Sequence, residues 1–508
     1  MRSPLRRILW IVPTLAAISV VAFWVLTRSL GPPAALELGP SARARLAQLP
    51  RFINPNPRTV RDRAREATEA VAEGGAAAES ARAELARLGG AALPHVLPRL
   101  DTLRPAGRVR VAQALRPVAR RMGVGSAAEL DSAEAAVVFW TRFWQDRAID
   151  FRPAVMRRLV RRAIERSTDL RGEDVRELDT YALPELIAAL DAARGAAALP
   201  VARRLSQLLS HVTGLPWAIE ENTSLEQSRA LVVRWQTWWT LNQSDYVDFD
   251  GPERALAMVT ETQYGKWATE AGRTRFGTTA SGEPVLDVLL DRAGVTLRLL
   301  ASAWVGGYAA GIGLGLLAAG LRKSPWSLAA PRRWQKRALA LLVVAFAALP
   351  SAVLASAFAP ASSPAHPFRA AWIMAAIAGA IVARYQESAS REALRRETTR
   401  TLLAYGASDL RAALRTFRSA GSSAVSLLGV DLPALLTAAF VVERCFGLRG
   451  LSEPTLEAIL VGDVAWLMAL VVATTLFGAL AQIVSDALLM RLDPRVAVAA
   501  ALKRGVPE

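Results

Sequence analysis

Long apolar runs occupy the two ends of the 508-residue chain, and a segment with apolar positions at helical spacing lies between them. A helix needs about 20 apolar residues to cross the roughly 30 Å hydrocarbon layer of a bilayer. The pattern therefore predicts an all-α membrane protein. Its six predicted spans, of which the fourth is short, are 8–26, 299–321, 338–359, 370–383, 424–442 and 464–490.

The first apolar run is interpreted as a retained anchor. The alternative is a cleaved signal peptide, because Arg2, Arg6 and Arg7 precede the run. However, the run is longer than the usual signal-peptide core, and residues 27–33 lack a small-x-small cleavage site.

The segment 34–260 predicts a large α-helical insert between the first two spans. A weak repeat recurs in it at an offset of 95 residues, so that Trp140 and Trp144 correspond to Trp235 and Trp239. Because Trp at i and i+4 shares one helix face, we expect a buried core stripe, with a binding site or a membrane-surface contact as the alternative.

Three Ala-Leu-Pro triplets, at 92–94, 182–184 and 198–200, stand in amphipathic surroundings within the insert. Their setting resembles the helix-turn-helix repeats of HEAT-type α-solenoids. Solenoids present concave faces to partners, so this resemblance implies a docking role.

The charge is distributed as a membrane topology requires. The net charge of +17 falls mostly outside the nearly balanced insert, which carries about +4. The loop 321–337 has six basic residues and no acid, and the loop 384–418 has eight basic against four acidic residues. These loops are predicted to be cytoplasmic by the positive-inside rule. Both termini are then cytoplasmic, and the insert is extracytoplasmic in a multi-pass inner-membrane protein.

Several other classes of protein are excluded or disfavoured. The single Cys445 rules out an internal disulfide, and the three His residues are too dispersed to predict a metal site. Basic loops between apolar runs indicate lipid contact rather than nucleic-acid binding. No HExxH, GxSxG, P-loop lysine or paired Cys motif occurs, so we expect neither an enzyme nor catalytic residues.

The cytoplasmic segment 391–421 carries the most specific motif. Arg400-Thr401, three residues, and then Tyr405-Gly406-Ala407 resemble the EAA loop of permeases in ATP-binding-cassette (ABC) importers of the dipeptide, oligopeptide and nickel type. Four further blocks resemble the same family in the same order: 5–33, 262–300, 440–451 with Asp463, and 485–496.

The resemblance implies that this loop couples the permease to separate ATPase subunits. Gly406 permits a turn that other residues enter with strain, and the leucines offer an apolar face to a groove on the ATPase. The residues predicted to couple are Arg400, Thr401, Leu402, Leu403, Tyr405, Gly406, Ala407, Leu410 and Arg411.

The same resemblance implies the partners and the cargo. The chain would pair with a second homologous permease, two ATPase subunits that bind ATP and Mg, and an external binding protein that delivers a peptide-like solute. The chain itself would bind no cofactor.

Polar groups inside apolar runs need an explanation, because burying them in a bilayer costs about 2.5 to 3.5 kcal/mol on insertion scales. Asp431, beside Pro433, would either line the path of an amine or serve as a packing residue. Glu443 matches an acidic residue of the family's outer turn and is predicted to act as a structural cap or in an ion pair rather than in substrate binding. Asp486 is predicted to lie at the inner membrane interface.

An alternative function remains open. Leu403, Tyr405, Arg449 and Ser452 depart from residues that are common in the family. These departures would suit a membrane-anchored scaffold that has lost transport and acts through its insert. The predicted domains are a first span (1–33), the insert (34–260), a five-helix permease core (261–497) with its loop near 391–420, and a cytoplasmic tail (498–508).

Overall fold

The computed structural model describes residues 4–30, 40–165, 175–193, 198–318, 341, 349, 351–359, 367–407, 421, 422 and 424–492. Within these ranges every named element is a helix, as an all-α protein requires. The contacts divide the chain into two units: a membrane unit of residues 1–34 and 276–508, and an insert unit of residues 35–275.

The first helix, α1 (Pro4–Leu30), belongs to the membrane unit. The insert unit then begins with six helices and two 3₁₀ segments in its first third. These are α2 (Pro40–Gln48), α3 (Val60–Glu73), α4 (Ala78–Leu88), the 3₁₀ segment Gly89–Ala92, α5 (Leu93–Val96), the 3₁₀ segment Leu97–Thr102, α6 (Pro105–Ala114) and α7 (Arg116–Met122).

The remaining insert helices follow in chain order. They are α8 (Ala127–Asp131), α9 (Ala133–Arg147), α10 (Pro153–Glu165), the 3₁₀ segment Asp179–Ala182, α11 (Leu183–Ala192), α12 (Leu199–Thr213), α13 (Leu225–Asn242), the 3₁₀ segment Gln243–Asp245, α14 (Pro252–Thr260) and α15 (Gln263–Gly272).

Each Ala-Leu-Pro triplet marks the start of a helix. The helices α5, α11 and α12 begin at the Leu of their triplet, with Pro in the first turn, where its missing N–H costs no hydrogen bond. The triplets therefore behave as helix-start signals. The HEAT-type arrangement itself stays a prediction.

The 3₁₀ segments Gly89–Ala92 and Asp179–Ala182, each of which precedes a helix that begins with Leu-Pro, pack against each other inside the insert unit. The Gly90 amide donates to Asp179 Oδ2 at 2.9 Å, and the Ala91 amide donates to Thr180 Oγ1 at 2.9 Å. A Cβ on Gly90 would lie 2.1 Å from the Leu178 carbonyl oxygen, so only glycine fits this approach.

The tryptophans of the 95-residue repeat lie in the core. Trp140 and Trp235 are fully buried in one hydrophobic cluster, and Trp144 and Trp239 pack against it. On each helix the first tryptophan of the i, i+4 pair is therefore in the core and the second packs against it, as a core stripe requires.

An ion cluster joins distant parts of the insert unit. Asp245 is fully buried and pairs with Arg45, with Arg63 at 3.1 Å and with Arg87 at 2.7 Å. Burial opposes ionisation of Asp245, but the three guanidinium groups outweigh it and hold the pKa of Asp245 below its usual value. The cluster therefore fixes α2, α3 and α4 to the segment after α13.

The membrane unit contains the apolar helices. After α1 these are α16 (Val285–Ser302), the π-helical segment Ala303–Gly307, α17 (Tyr308–Ala318), α18 (Ser351–Phe358), α19 (Pro367–Arg395), α20 (Glu397–Ala404), α21 (Leu432–Phe446), α22 (Ser452–Val461) and α23 (Val464–Leu492).

Four described helical stretches are long and apolar enough to cross a bilayer: Trp10–Leu30, Val285–Ala318, Pro367–Ala393 and Val464–Leu489. They match the predicted spans one, two, four and six. The predicted span 338–359 lies largely outside the described residues. The predicted span 424–442 contains a turn at residues 428–430 before α21, and α21 alone is 15 residues long. Six spans therefore stay a prediction.

The long helices pack side by side within this unit. α17 lies along α19, α1 along α23, and α21 contacts α16, α18 and α19. Gly311 and Gly315 of α17 face α19 so closely that a Cβ would lie 2.6 Å from the Gly379 carbonyl oxygen and 2.7 Å from that of Ala383. Small residues thus bring these two backbones together, as in other membrane helix pairs.

Candidate functional site

The predicted coupling residues form an elbow at the end of α19, defined here as residues 396–407. α19 ends at Arg395, and α20 begins at Glu397. The Thr399 hydroxyl donates to the Ala393 carbonyl oxygen at 3.0 Å and so fixes the angle between the two helices. The elbow is therefore a short helix held at the end of a long one.

A glycine-dependent turn closes α20. Gly406 has a φ of +76°, in the left-handed region that favours glycine. The Ala407 amide donates to the Leu402 carbonyl oxygen at 3.2 Å, as in a Schellman motif. No neighbouring atom lies within 4 Å of a Cβ built on Gly406, so the conformation and not crowding selects glycine here.

The elbow has an exposed surface. Tyr405 is 87% exposed, and Arg400, Thr401 and Gly406 are exposed as well. Leu402 and Ala407 are half-buried. The Leu403 side chain, Leu410 and Arg411 lie outside the described residues.

Glu443 lies in α21 with none of its surface exposed. One carboxylate oxygen accepts the Thr296 hydroxyl at 2.5 Å, and the other accepts the Ser452 amide at 2.9 Å. A Cβ on Gly450 would lie 2.2 Å from the carboxylate carbon. Glu443 therefore ties α21 and α16 to the start of α22, in the geometry of a structural cap.

The turn after α22 is held by a second carboxylate. Asp463 accepts the Ala280 amide at 2.9 Å and the Trp466 amide at 3.1 Å. The Trp466 indole in turn donates to Thr455 Oγ1 at 3.1 Å. These contacts join the entry to α16, α22 and the start of α23 at one end of the bundle.

Asp431 lies half-buried at the break before α21. Its carboxylate accepts a long hydrogen bond of 3.4 Å from the Tyr308 hydroxyl, and its backbone carbonyl accepts the Leu435 amide. Pro433 is exposed in the first turn of α21. The break thus places a carboxylate beside a phenol among mostly apolar helices.

Asp486 is buried on α23 and accepts Gln482 Nε2 at 3.3 Å. Gln482 also lies against Gly429, where a Cβ would be 2.0 Å from its Oε1 atom. Gly429, two residues before Asp431, therefore packs against the part of α23 that carries Gln482 and Asp486.

Sequence reasoning missed the partners of these carboxylates. Thr296, Tyr308 and Gln482 are polar residues within apolar helices, and that rarity is the signal that could have found them. Their pairing depends on helix packing, which no local pattern encodes. Among the described residues, no three His, Cys, Asp or Glu side chains are grouped to hold a metal ion.

The fold and these sites define a class of protein. Residues 311–498 match the family of the binding-protein-dependent transport system inner membrane component. The matched part contains the elbow, Asp431 and the Glu443 turn. Residues 311–498 are thus similar to the permease components of binding-protein-dependent transport systems, which supports the predicted family of ABC importer permeases.

Particular relatives are similar to this chain. The oligopeptide transport system permease protein OppB of Mycobacterium bovis is 28% identical over 285 residues, which cover 50% of this chain and 85% of the relative. The protein of the same name from Mycobacterium tuberculosis matches with the same identity and coverage. The family is one of transport permeases rather than enzymes, and its members are inner-membrane components.

Proposed function

We propose that this chain moves peptide-like or similar small solutes across the inner membrane, driven by ATP that partner subunits hydrolyse with Mg. The relatives named as oligopeptide permeases support this choice of solute. A second homologous permease would complete the pathway, and an extracytoplasmic binding protein would deliver the solute. Both termini would be cytoplasmic, and the insert would lie on the opposite side.

The elbow is the observation that carries this proposal. It offers an exposed tyrosine and arginine on a short helix that is hydrogen-bonded to the end of α19. α19 packs on α16, α17 and α21, so a displacement of the elbow would reach most of the described bundle. A rigid lever of this kind can convert closure of an ATPase into a rearrangement of helices.

Asp431 is our candidate for a polar group on the solute path. Burying a carboxylate among apolar helices is costly unless it is hydrogen-bonded or meets a cavity. Its one described side-chain hydrogen bond, from Tyr308, is long at 3.4 Å. Asp431 would therefore be able to accept the ammonium group of a passing peptide.

Co-purification of an ATPase tests the proposal. The full chain is tagged, extracted from its native membrane in mild detergent and assayed for ATP hydrolysis that elutes with it. We expect hydrolysis with the wild-type chain and its loss with Tyr405→Asp, because the substitution puts a charge on the exposed face of the elbow.

Gly406→Val provides a second variant with a matched control. Gly251 also has a left-handed φ, of +54°, and open space around its Cβ, but it lies in the insert unit. Gly406→Val should abolish ATP-dependent uptake of a labelled tripeptide, whereas Gly251→Val should not. An intact membrane assembly that contains no ATPase would contradict the proposal and favour the scaffold function.

A further inference from the structure

A cavity of about 810 Å³ lies within the insert unit, between α11, α12, α13 and the chain after α15. This volume falls within the roughly 300 to 1,000 Å³ of sites for small organic ligands. The walls combine polar and apolar side chains. Neither the family resemblance nor the transport proposal uses this cavity.

The floor of the cavity is a buried polar network. Gln236 is 5% exposed; its amide nitrogen donates to Asp191, and its amide oxygen accepts from Arg275. Glu270 in turn pairs with Arg275 at 3.6 Å and with Arg273 at 3.3 Å. A network fixed in this way holds its charged groups in position before a ligand arrives.

The charges at the cavity do not cancel. Arg273 and Arg275 both pair with Glu270. Arg229, which also lines the cavity, has no ion-pair partner within the described part of the chain. Among the described residues that line the cavity, arginines therefore outnumber carboxylates, and Arg229 is exposed.

The lining also includes apolar side chains, several of them on α13 with Arg229. Ile187 is buried, Val232 and Trp239 are half-buried, and Leu225 is 37% exposed. An apolar surface of this kind gains free energy when a ligand covers it. A matching ligand therefore needs an anionic group and an aliphatic group a few ångströms apart.

We propose that this cavity binds an amphipathic carboxylate, whose anionic end pairs with Arg229 while its aliphatic part covers Ile187, Val232 and Trp239. The C-terminal residue of a short apolar peptide and a medium-chain fatty acid share this chemistry. Guanidinium groups bind carboxylates strongly because two N–H donors can meet two oxygens. The insert is then a ligand-binding unit and not only a spacer.

Calorimetric titration of the purified full-length chain in detergent tests the proposal. The probes are the tripeptide Ala-Leu-Leu, its C-terminal amide and octanoate. We expect one or both carboxylates to bind and the amide to bind at least about tenfold more weakly, as the loss of a charge-assisted hydrogen bond predicts. The tighter carboxylate identifies the source of the ligand.

Two variants localise the binding. Ala188 is exposed and lines the cavity, so Ala188→Trp should fill it and abolish binding without disturbing the core. Ala255→Trp, at an exposed position of α14, is the matched control. Arg229→Gln should weaken carboxylate binding about tenfold, whereas Arg162→Gln, at an exposed position of α10, should not.

Three results would overturn the proposal: no binding of either carboxylate, equal binding of the amide, or unchanged binding in Ala188→Trp. The last result would place the ligand elsewhere, for example in the membrane unit. Because these titrations need no ATPase, they remain decisive whether or not the chain transports peptides.

Discussion

At the level of single residues, Glu443 directs both carboxylate oxygens at its own chain, to Thr296 and Ser452. Glu443→Ala should destabilise the protein by about 2–4 kcal/mol, because two buried donors lose their acceptor. Unfolding of the full chain in detergent, followed by tryptophan fluorescence, measures this loss. Glu443→Gln should have a smaller effect, since an amide keeps one acceptor oxygen.

A double-mutant cycle separates this structural role from a role in transport. Thr296→Val removes the hydroxyl at similar volume, so the double variant should show a coupling of about 1 kcal/mol or more. Two results would contradict the role of Glu443 as a structural cap. One is that the effects of the two substitutions on stability are additive, and the other is that Glu443→Ala has normal stability but fails to transport.

Asp245 makes a prediction about pH. Its folded-state pKa lies below the value in the unfolded chain, so its ionisation stabilises the fold above the unfolded pKa, and this contribution disappears as pH falls through the folded pKa. Asp245→Asn should cost about 3–5 kcal/mol at neutral pH, because three arginines lose the buried carboxylate that they share, and Glu84 remains as a partner only for Arg63 and Arg87.

The difference in stability between wild type and Asp245→Asn should begin to narrow below about pH 4, where the Asp245 carboxylate of the unfolded chain gains a proton, and should disappear as pH falls through the lower folded-state pKa. Unfolding measured from pH 7 to pH 3 checks this. Asp146→Asn, at an exposed position of α9, is the control and should show little change at any pH. A gap that stays constant with pH would mean that the ion cluster does not supply the stability.

At the level of elements, the α17–α19 pair depends on glycines at a spacing of four. Gly311→Val should destabilise the membrane unit by about 1–3 kcal/mol, because its side chain would meet the α19 backbone. Gly313 lies on the same helix with no atom within 4 Å of its Cβ, so Gly313→Val should be tolerated. Unfolding in detergent compares the two, and equal losses would argue against this packing.

The sequence predicts the presence of the apolar helices from their hydropathy, but it does not predict the residues at which they begin and end. The apolar run 370–383 predicts a short span, yet α19 extends from Pro367 to Arg395. The extension carries the Arg391–Glu387 ion pair at i,i+4, which favours helix without being apolar. Conversely, the run 424–442 is mostly apolar but contains Gly429 within a turn and Asp431 next to it, which average hydropathy does not detect.

At the level of the whole molecule, the sequence indicates two parts of different composition, and the contacts also divide the chain into two units. The elbow was predictable because its motif is continuous in sequence. The insert cavity was not, because Asp191, Arg229, Gln236 and Arg275 come together only through helix packing. Sites built from scattered residues of this kind leave no local motif.

Cysteine labelling tests the central claim, that the elbow faces an ATPase on the cytoplasmic side. Cys445 is the single cysteine, so Cys445→Ala provides a background for Tyr405→Cys in the elbow and Glu253→Cys in the insert. A membrane-impermeant maleimide should label position 405 only in inside-out vesicles, and more slowly while the ATPase stays bound. It should label position 253 only in intact spheroplasts. Labelling of position 405 from outside intact spheroplasts would contradict the account.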